Sequence, residues 1–161
     1  MKKVVGIDPG LAGTGVGVVS GLDLKVSAYS FGAISTSAQD TTACRLNHIF
    51  SQLTDFFKTQ KPDLVVVEDI YSLEKYPGSG IILGKVVGVI QVAAHRAGVN
   101  VEEIPVREVK KIVSGNGSAD KHQMERAVRN YLNHPEAIRP FHASDALGLA
   151  LAGFFRYCKI L

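Results

Sequence analysis

At 161 residues, with 46% hydrophobic and 20% charged side chains, the chain is sized for one domain with a real core and is too apolar for a disordered one. A formal charge of +3 is too small to announce a nucleic-acid binder. No uninterrupted apolar run approaches the roughly 20 residues of a bilayer span, and "MKKVVGIDPG" leaves too short an apolar stretch before Asp8 for a signal peptide, so a cytoplasmic protein with no membrane partner is expected.

In chain order, "KKVVGID" reads as a strand ending at Asp8, and "GTGVGVVS" as a second strand after a turn, forming a hairpin with the first. "LKVSAYSFGAIST" continues as a third, alternating through Val26, Ala28 and Ser30. Short turns make these three strands antiparallel. From an N-cap at Asp40, Leu46, Ile49, Phe50, Leu53, Phe56 and Phe57 recur at helical spacing. "DLVVVED" is a continuous apolar strand, the pattern of one covered on both faces and parallel to a neighbour, and it ends in Glu68 and Asp69.

After the loop "IYSLEKYPGSG", "IILGKVVGVIQVAAHRAG" reads as a buried helix closed by Gly98, and "VNVEEIP" as a fifth strand. "VREVKKIVSG" and "DKHQMERAVRNYLN" are helices around the turn "NGSA", with Met124, Val128 and Leu132 toward the core. The loop "HPEAIRP" leads into a last, small-residue helix that carries His142 and Asp145. From Pro105 to Tyr131 six basic residues (Arg107, Lys110, Lys111, Lys121, Arg126, Arg129) face three acidic ones, so this segment holds an excess equal to that of the whole chain. Cys44 and Cys158 lie far apart with no CxxC or Cys/His cluster, and are expected to be buried, reduced thiols.

Strands first, then helices alternating with parallel strands, give an α/β class: a five-stranded mixed sheet, three antiparallel strands and then parallel ones, with helices on both faces. The order βββαβαβ followed by further helices is that of a ribonuclease H-like fold, expected to fill residues 1–161 as one domain.

If strands one and four are neighbours, Asp8 and Glu68 emerge at one sheet edge. Asp145 joins them where the last helix crosses that edge, its Ala143, Ala146, Gly148, Ala150 and Ala152 allowing close approach. Converging carboxylates repel one another unless a cation neutralises them, and hard oxygen donors suit Mg²⁺ or Mn²⁺. Two such ions about 3.5–4 Å apart serve phosphodiester cleavage. Each residue also has a plainer role: Asp8 as a turn former before Pro-Gly, Asp145 as a partner for the helix dipole, and Asp69 as a neighbour on the opposite side of its strand.

Together these residues resemble the RuvC family of Holliday-junction resolvases over nearly the whole chain. "GIDPGLAGTGVGVV" is similar to the family's opening catalytic strand, "LVVVEDIY" to its second acidic segment, "GNGSADKHQM" to its glycine-lysine signature and "HASDALGLA" to its closing helix. The resemblance implies a homodimer that binds a four-way DNA junction and nicks two strands of like polarity with a divalent metal, Mg²⁺ or Mn²⁺, two ions per site. It carries Asp8, Glu68 and Asp145 over as metal-binding catalytic residues, with His142 where many members have a fourth acid and some have histidine. Lys110 and Lys121 match basic positions near the DNA backbone, and Tyr71 an aromatic that stacks near the junction centre. A branch-migration motor of the RuvA/RuvB type is the further partner it allows.

Backbone N–H groups of Gly115, Gly117 and Ser118, with Lys121 at a helix start, suit phosphate. Tyr71 and Tyr76 suit unpaired bases. "SLEKYPGSGIILGKVVG" departs from the family's "GQARG"-like run, with Val87 where an arginine is expected, which touches DNA docking and sequence preference. Val86, Val87, Val89 and Ile90 are the candidate dimer surface.

At the helix start, a neutral His142 ring suits a metal ligand, a general base or a cap, and these stay open. Open too are a nuclease of other branched DNA, such as flaps or phage recombination intermediates, and a junction-binding module without cleavage. An actin-like or Hsp70-like phosphotransferase would need a second domain and a second phosphate loop.

Overall fold

A computed structural model describes residues 1–69 and 77–157. Its elements run β1 (Lys2–Asp8), β2 (Gly13–Leu22), β3 (Lys25–Ser35), α1 (Thr42–Gln60), β4 (Leu64–Glu68), α2 (Pro77–Arg96), β5 (Val101–Ile104), α3 (Val106–Ser114), α4 (Lys121–Leu132) and α5 (Phe141–Tyr157). The strands form one five-stranded sheet in the order β3-β2-β1-β4-β5. β1–β2 and β2–β3 are antiparallel, and β1–β4 and β4–β5 parallel. The mixed ribonuclease H-like sheet expected from the strand order is present.

The sheet has an apolar layer on each face. Val5, Ile7, Val16, Val18, Val65 and Val67 pack against Ile49, Leu53 and Phe57 of α1 and Val86, Ile90 and Ala94 of α2. Val4, Val19, Leu64 and Val66 pack on the other face against α3, α4 and α5. Strand periodicity makes this division, because alternate residues point to opposite faces.

Four expectations need correction. Alternation in β3 fails: its half-buried residues are Val26, Tyr29 and Ile34, because a bulge at Ser20/Gly21 leaves Ser27 outside the ladder and turns Val26 to the Tyr29 side. The cap of α1 is Thr41, whose Oγ1 accepts the Cys44 N–H, and not Asp40. Cys44 is exposed, being out of helical phase with the Ile49–Leu53–Phe57 stripe; Cys158 lies outside the described residues.

Finally, α2 is by length and composition apolar enough to cross a membrane from Gly78 to Arg96. Its Val86, Val87, Ile90, Ala93 and Ala94 are buried in the core. The large apolar residues that it leaves outward are Ile81 and Val92, 65% and 53% exposed, and Ile82. Of the residues expected at a dimer surface, Val86, Val87 and Ile90 are therefore core residues and Val89 is half-buried, and the outward face of the same helix carries the free apolar area.

Candidate active site

The parallel register Ile7↔Val67 puts Asp8 and Glu68 side by side at the ends of β1 and β4. Both share the parity of residues on the α5 face: Val4 and Gly6 in β1, Leu64 and Val66 in β4. That face is unusually close to its helix. A Cβ on Gly6 would stand 2.0 Å from Ala146 O, one on Gly15 2.0 Å from His142 O, and one on Gly17 2.6 Å from Leu147 N. Only glycine permits this approach, and Gly15 is the direct cross-strand partner of Asp8. The start of α5 is thereby laid over the carboxylate of Asp8.

His142 Nδ1 is hydrogen-bonded to Asp8 Oδ2 at 2.6 Å. The ring is thus engaged with the carboxylate rather than with its own helix, whose Ala143 and Ser144 N–H groups both donate to Pro140 O. Asp145 falls beyond the first turn of α5, where the dipole argument for an acid weakens. It lines, with Glu68, a cleft of about 230 Å³ whose other walls are Val106, Val109, Lys110, Lys121, Met124 and Leu149.

The electrostatics of this cleft follow from burial. Asp8 is pushed up to about 6, first by burial and then by the charge of Asp145, against the opposing hydrogen bond from His142. Glu68 is pushed up to about 7 by burial and by the charges of Asp8 and Asp145, with Lys110 opposing. Asp145 is raised by burial, with Lys121, His142 and Lys110 opposing. Three carboxylates thus share one region with two ammonium groups. Among the described residues no three ligating side chains already converge on a single ion position. The donor set is nonetheless one of carboxylate oxygens that destabilise one another when charged, which suits a hard divalent cation.

The glycine-lysine segment divides. Lys121 opens α4 and reaches the cleft, whereas Gly115, Gly117 and Ser118 form the α3–α4 turn and do not line it. Gly115 ends α3 at φ 76°, Gly117 packs on Arg107, and Ser118 N–H donates to Asn116 Oδ1 at 3.0 Å. Lys110 and Lys121 stand closer to the acids than a role on the DNA backbone alone requires. Tyr71 and Tyr76 lie outside the described residues.

Sequence reasoning missed Glu125. It is 5% exposed, accepts the Ile138 N–H at 3.0 Å and pairs with Arg129 at 3.1 Å, so it fastens the segment that enters α5. The signal was available, since residue 125 is in helical phase with Val128 and Leu132. It also missed the stacking of Arg139 on Phe141.

Residues 4–153 match the family model described as crossover junction endodeoxyribonuclease RuvC. A protein of that name from Rhodopirellula baltica is 36% identical over 152 residues, 94% of this chain and 85% of the relative. The Thermus thermophilus RuvC structure superposes with a TM-score of 0.86 at 32% identity, covering 98% of this chain and 96% of that one. The T. thermophilus RuvC in complex with Holliday junction substrate gives 0.88 at 32%, covering 96% and 94%.

Proposed function

Because the chain belongs to the RuvC family of crossover junction endodeoxyribonucleases, and resolves Holliday junctions as they do, we propose that Asp8, Glu68, Asp145 and His142 form the site at which it nicks. The observation that carries this reading is the convergence of three acids: half-buried Glu68 and Asp145 line the cleft, faced by Lys110 and Lys121, and the buried Asp8 lies close enough to feel the charges of Asp145 and Lys121.

The family's nucleases depend on metal, and Mg²⁺, with Mn²⁺ as a substitute and two ions per site, fits the oxygen donors. When bound, the ions would supply Lewis acidity for an attacking water and for the leaving oxygen. The chain's own groups do the rest. Asp8, Glu68 and Asp145 offer the ligands. Lys110 and Lys121 offset their charge and meet the non-bridging phosphate oxygens. His142, tied at Nδ1, holds Asp8 in one orientation and leaves Nε2 for a ligand bond or a proton from water.

The Gly115, Gly117 and Ser118 turn meets the DNA flank through the Gly117 N–H and the Ser118 hydroxyl, because the Gly115 and Ser118 N–H groups are bonded to Lys111 O and Asn116 Oδ1, and Tyr71 stacks near the junction centre. Two copies related by a two-fold axis, meeting through the outward Ile81, Ile82 and Val92 of α2, would nick two strands of like polarity symmetrically. The chain acts as one nuclease domain, in the cytoplasm, on junctions delivered by a branch-migration motor of the RuvA/RuvB type.

The test is cleavage of a synthetic four-way junction beside flap and linear duplex, with Mg²⁺ and with chelator, by wild type and Asp8→Asn. Paired nicks on the junction alone, lost in the variant and under chelation, are expected. Equal cutting of linear duplex overturns the reading.

A further inference from the structure

The first turns of α4 and α5 meet beside the cleft through an aromatic contact that none of the proposed catalytic groups requires. Phe141 immediately precedes His142, and His122 immediately follows Lys121. The Phe141 and His122 rings stand edge to face at 5.7 Å between centroids and 85° between planes. On the same Phe141 ring lies the guanidinium of Arg139, its Cζ 4.1 Å from the centroid. Arg139 Nη1 also donates to Ile138 O at 3.0 Å.

These two contacts hold an exposed arginine in one pose. Among the described residues its guanidinium pairs with no carboxylate. Glu136, three residues before it, and Asp145, six after, are not within ion-pair distance of it, and the acids of the neighbouring α4 are committed elsewhere: Asp120 caps α4 by accepting the Gln123 N–H, and Glu125 holds Arg129 and the Ile138 N–H. A guanidinium has five N–H donors in a planar fork, so most of its capacity is left over. A cation stacked on a ring, with its donors unspent, matches a phosphate in charge and in bidentate geometry. Its site is fixed by neighbours: Lys121 is near enough to favour the charged forms of both Asp8 and Asp145, and His142 touches Asp8.

We infer that Arg139, held on the Phe141 ring, binds a backbone phosphate of the nicked strand next to the cleft. Phe141 is the positioning residue, and its ring is covered by Arg139 rather than open to a base. Holding the fork in place before DNA arrives reduces the ordering cost of binding. The assignment rests on the nuclease reading above, since the phosphate belongs to that substrate.

The experiment measures binding of a labelled four-way junction by the full chain, in chelator so that no strand is cut, across 50–200 mM salt, together with thermal melting. Arg139→Ala is expected to weaken binding about tenfold and to make the slope of log K against log salt shallower by about one, with the melting temperature unmoved. Arg139→Lys keeps the salt slope and recovers only part of the affinity, because it loses the bidentate fork. Phe141→Leu weakens binding less than Arg139→Ala and leaves the slope unchanged. If Arg139→Ala instead lowers the melting temperature while affinity and slope per folded molecule stay at wild type, the contact is a staple between helices and the assignment is overturned. A wild type that binds no junction removes the nuclease reading and this assignment together; a wild type that binds, with an unaltered Arg139→Ala, removes this assignment alone.

Discussion

The two faces of the sheet are built on different rules. Against α1 and α2 the strands present ordinary side chains, Val5, Ile7, Val16 and Val18 meeting Ile49, Leu53, Phe57, Val86 and Ile90. Against α5 they present backbone at Gly6, Gly15 and Gly17. Apolar side chains leave some room to repack when one changes. Backbone against backbone leaves none, and this is the face on which His142 and Asp145 are brought to Asp8 and Glu68. Positional accuracy is concentrated where the chemistry is, and volume tolerance on the other side.

The strongest way to break that contrast is Gly15→Ala. The new methyl meets the His142 carbonyl, so α5 has to move while every acid remains, and a displacement of about 1 Å costs on the order of 10²-fold in nicking rate. Junction nicking per folded molecule checks it, and a rate near wild type would put both faces on the same footing. Next in size is Glu125→Ala, which leaves the Ile138 N–H without its acceptor and is expected to cost about 2 kcal/mol in denaturant unfolding. Glu125→Gln, which keeps an acceptor oxygen, should recover part of this.

A third effect separates the faces by titration. Asp8 and Glu68 rise from 3.8 and 4.5 to about 6 and about 7 on folding, so the native state binds protons that the unfolded chain has released. Without metal, their contribution to stability therefore falls as pH rises from about 4 to 7. A divalent cation needs them charged, so Mg²⁺ at ten times its dissociation constant should stabilise by about 1.4 kcal/mol at pH 8 and by much less at pH 5. Melting curves at the two pH values with and without Mg²⁺ test this, and an equal shift at both would disconnect the metal from these acids. The smallest effect belongs to the opposite face, where Ile49→Val should cost about 1 kcal/mol and leave the nicking rate per folded molecule unchanged.

Much of this was legible from residue periodicity. The strand ends at Asp8 and Glu68 and the crossing of α5 follow from the parity of short apolar strands and a run of small residues. What escaped had a tertiary cause. Nothing in "KVSAYSFGAIS" announces the bulge that redirects Val26, because the irregularity belongs to its pairing with β2. The inward side of α2 depends on which of two apolar stripes meets α1, and both stripes are greasy. Lys110 and Lys121 read from the sequence as lysines near the DNA backbone, and only the packing of α3 and α4 on α5 turns them into the cleft beside the acids. Cys44 was readable and was missed, since its phase on α1 is wrong for the core.

The docking of α5 also has a biosynthetic meaning. Asp8 and Glu68 leave the ribosome ahead of His142 and Asp145, which come on the fifth helix in chain order. At about 5–20 residues per second, several seconds pass in which the growing chain owns half of the ligand set proposed above and an uncovered sheet face bearing Val4, Val19 and Val66. On that proposal such a chain is expected not to nick, and cutting competence arrives only when the last helix closes on the glycines.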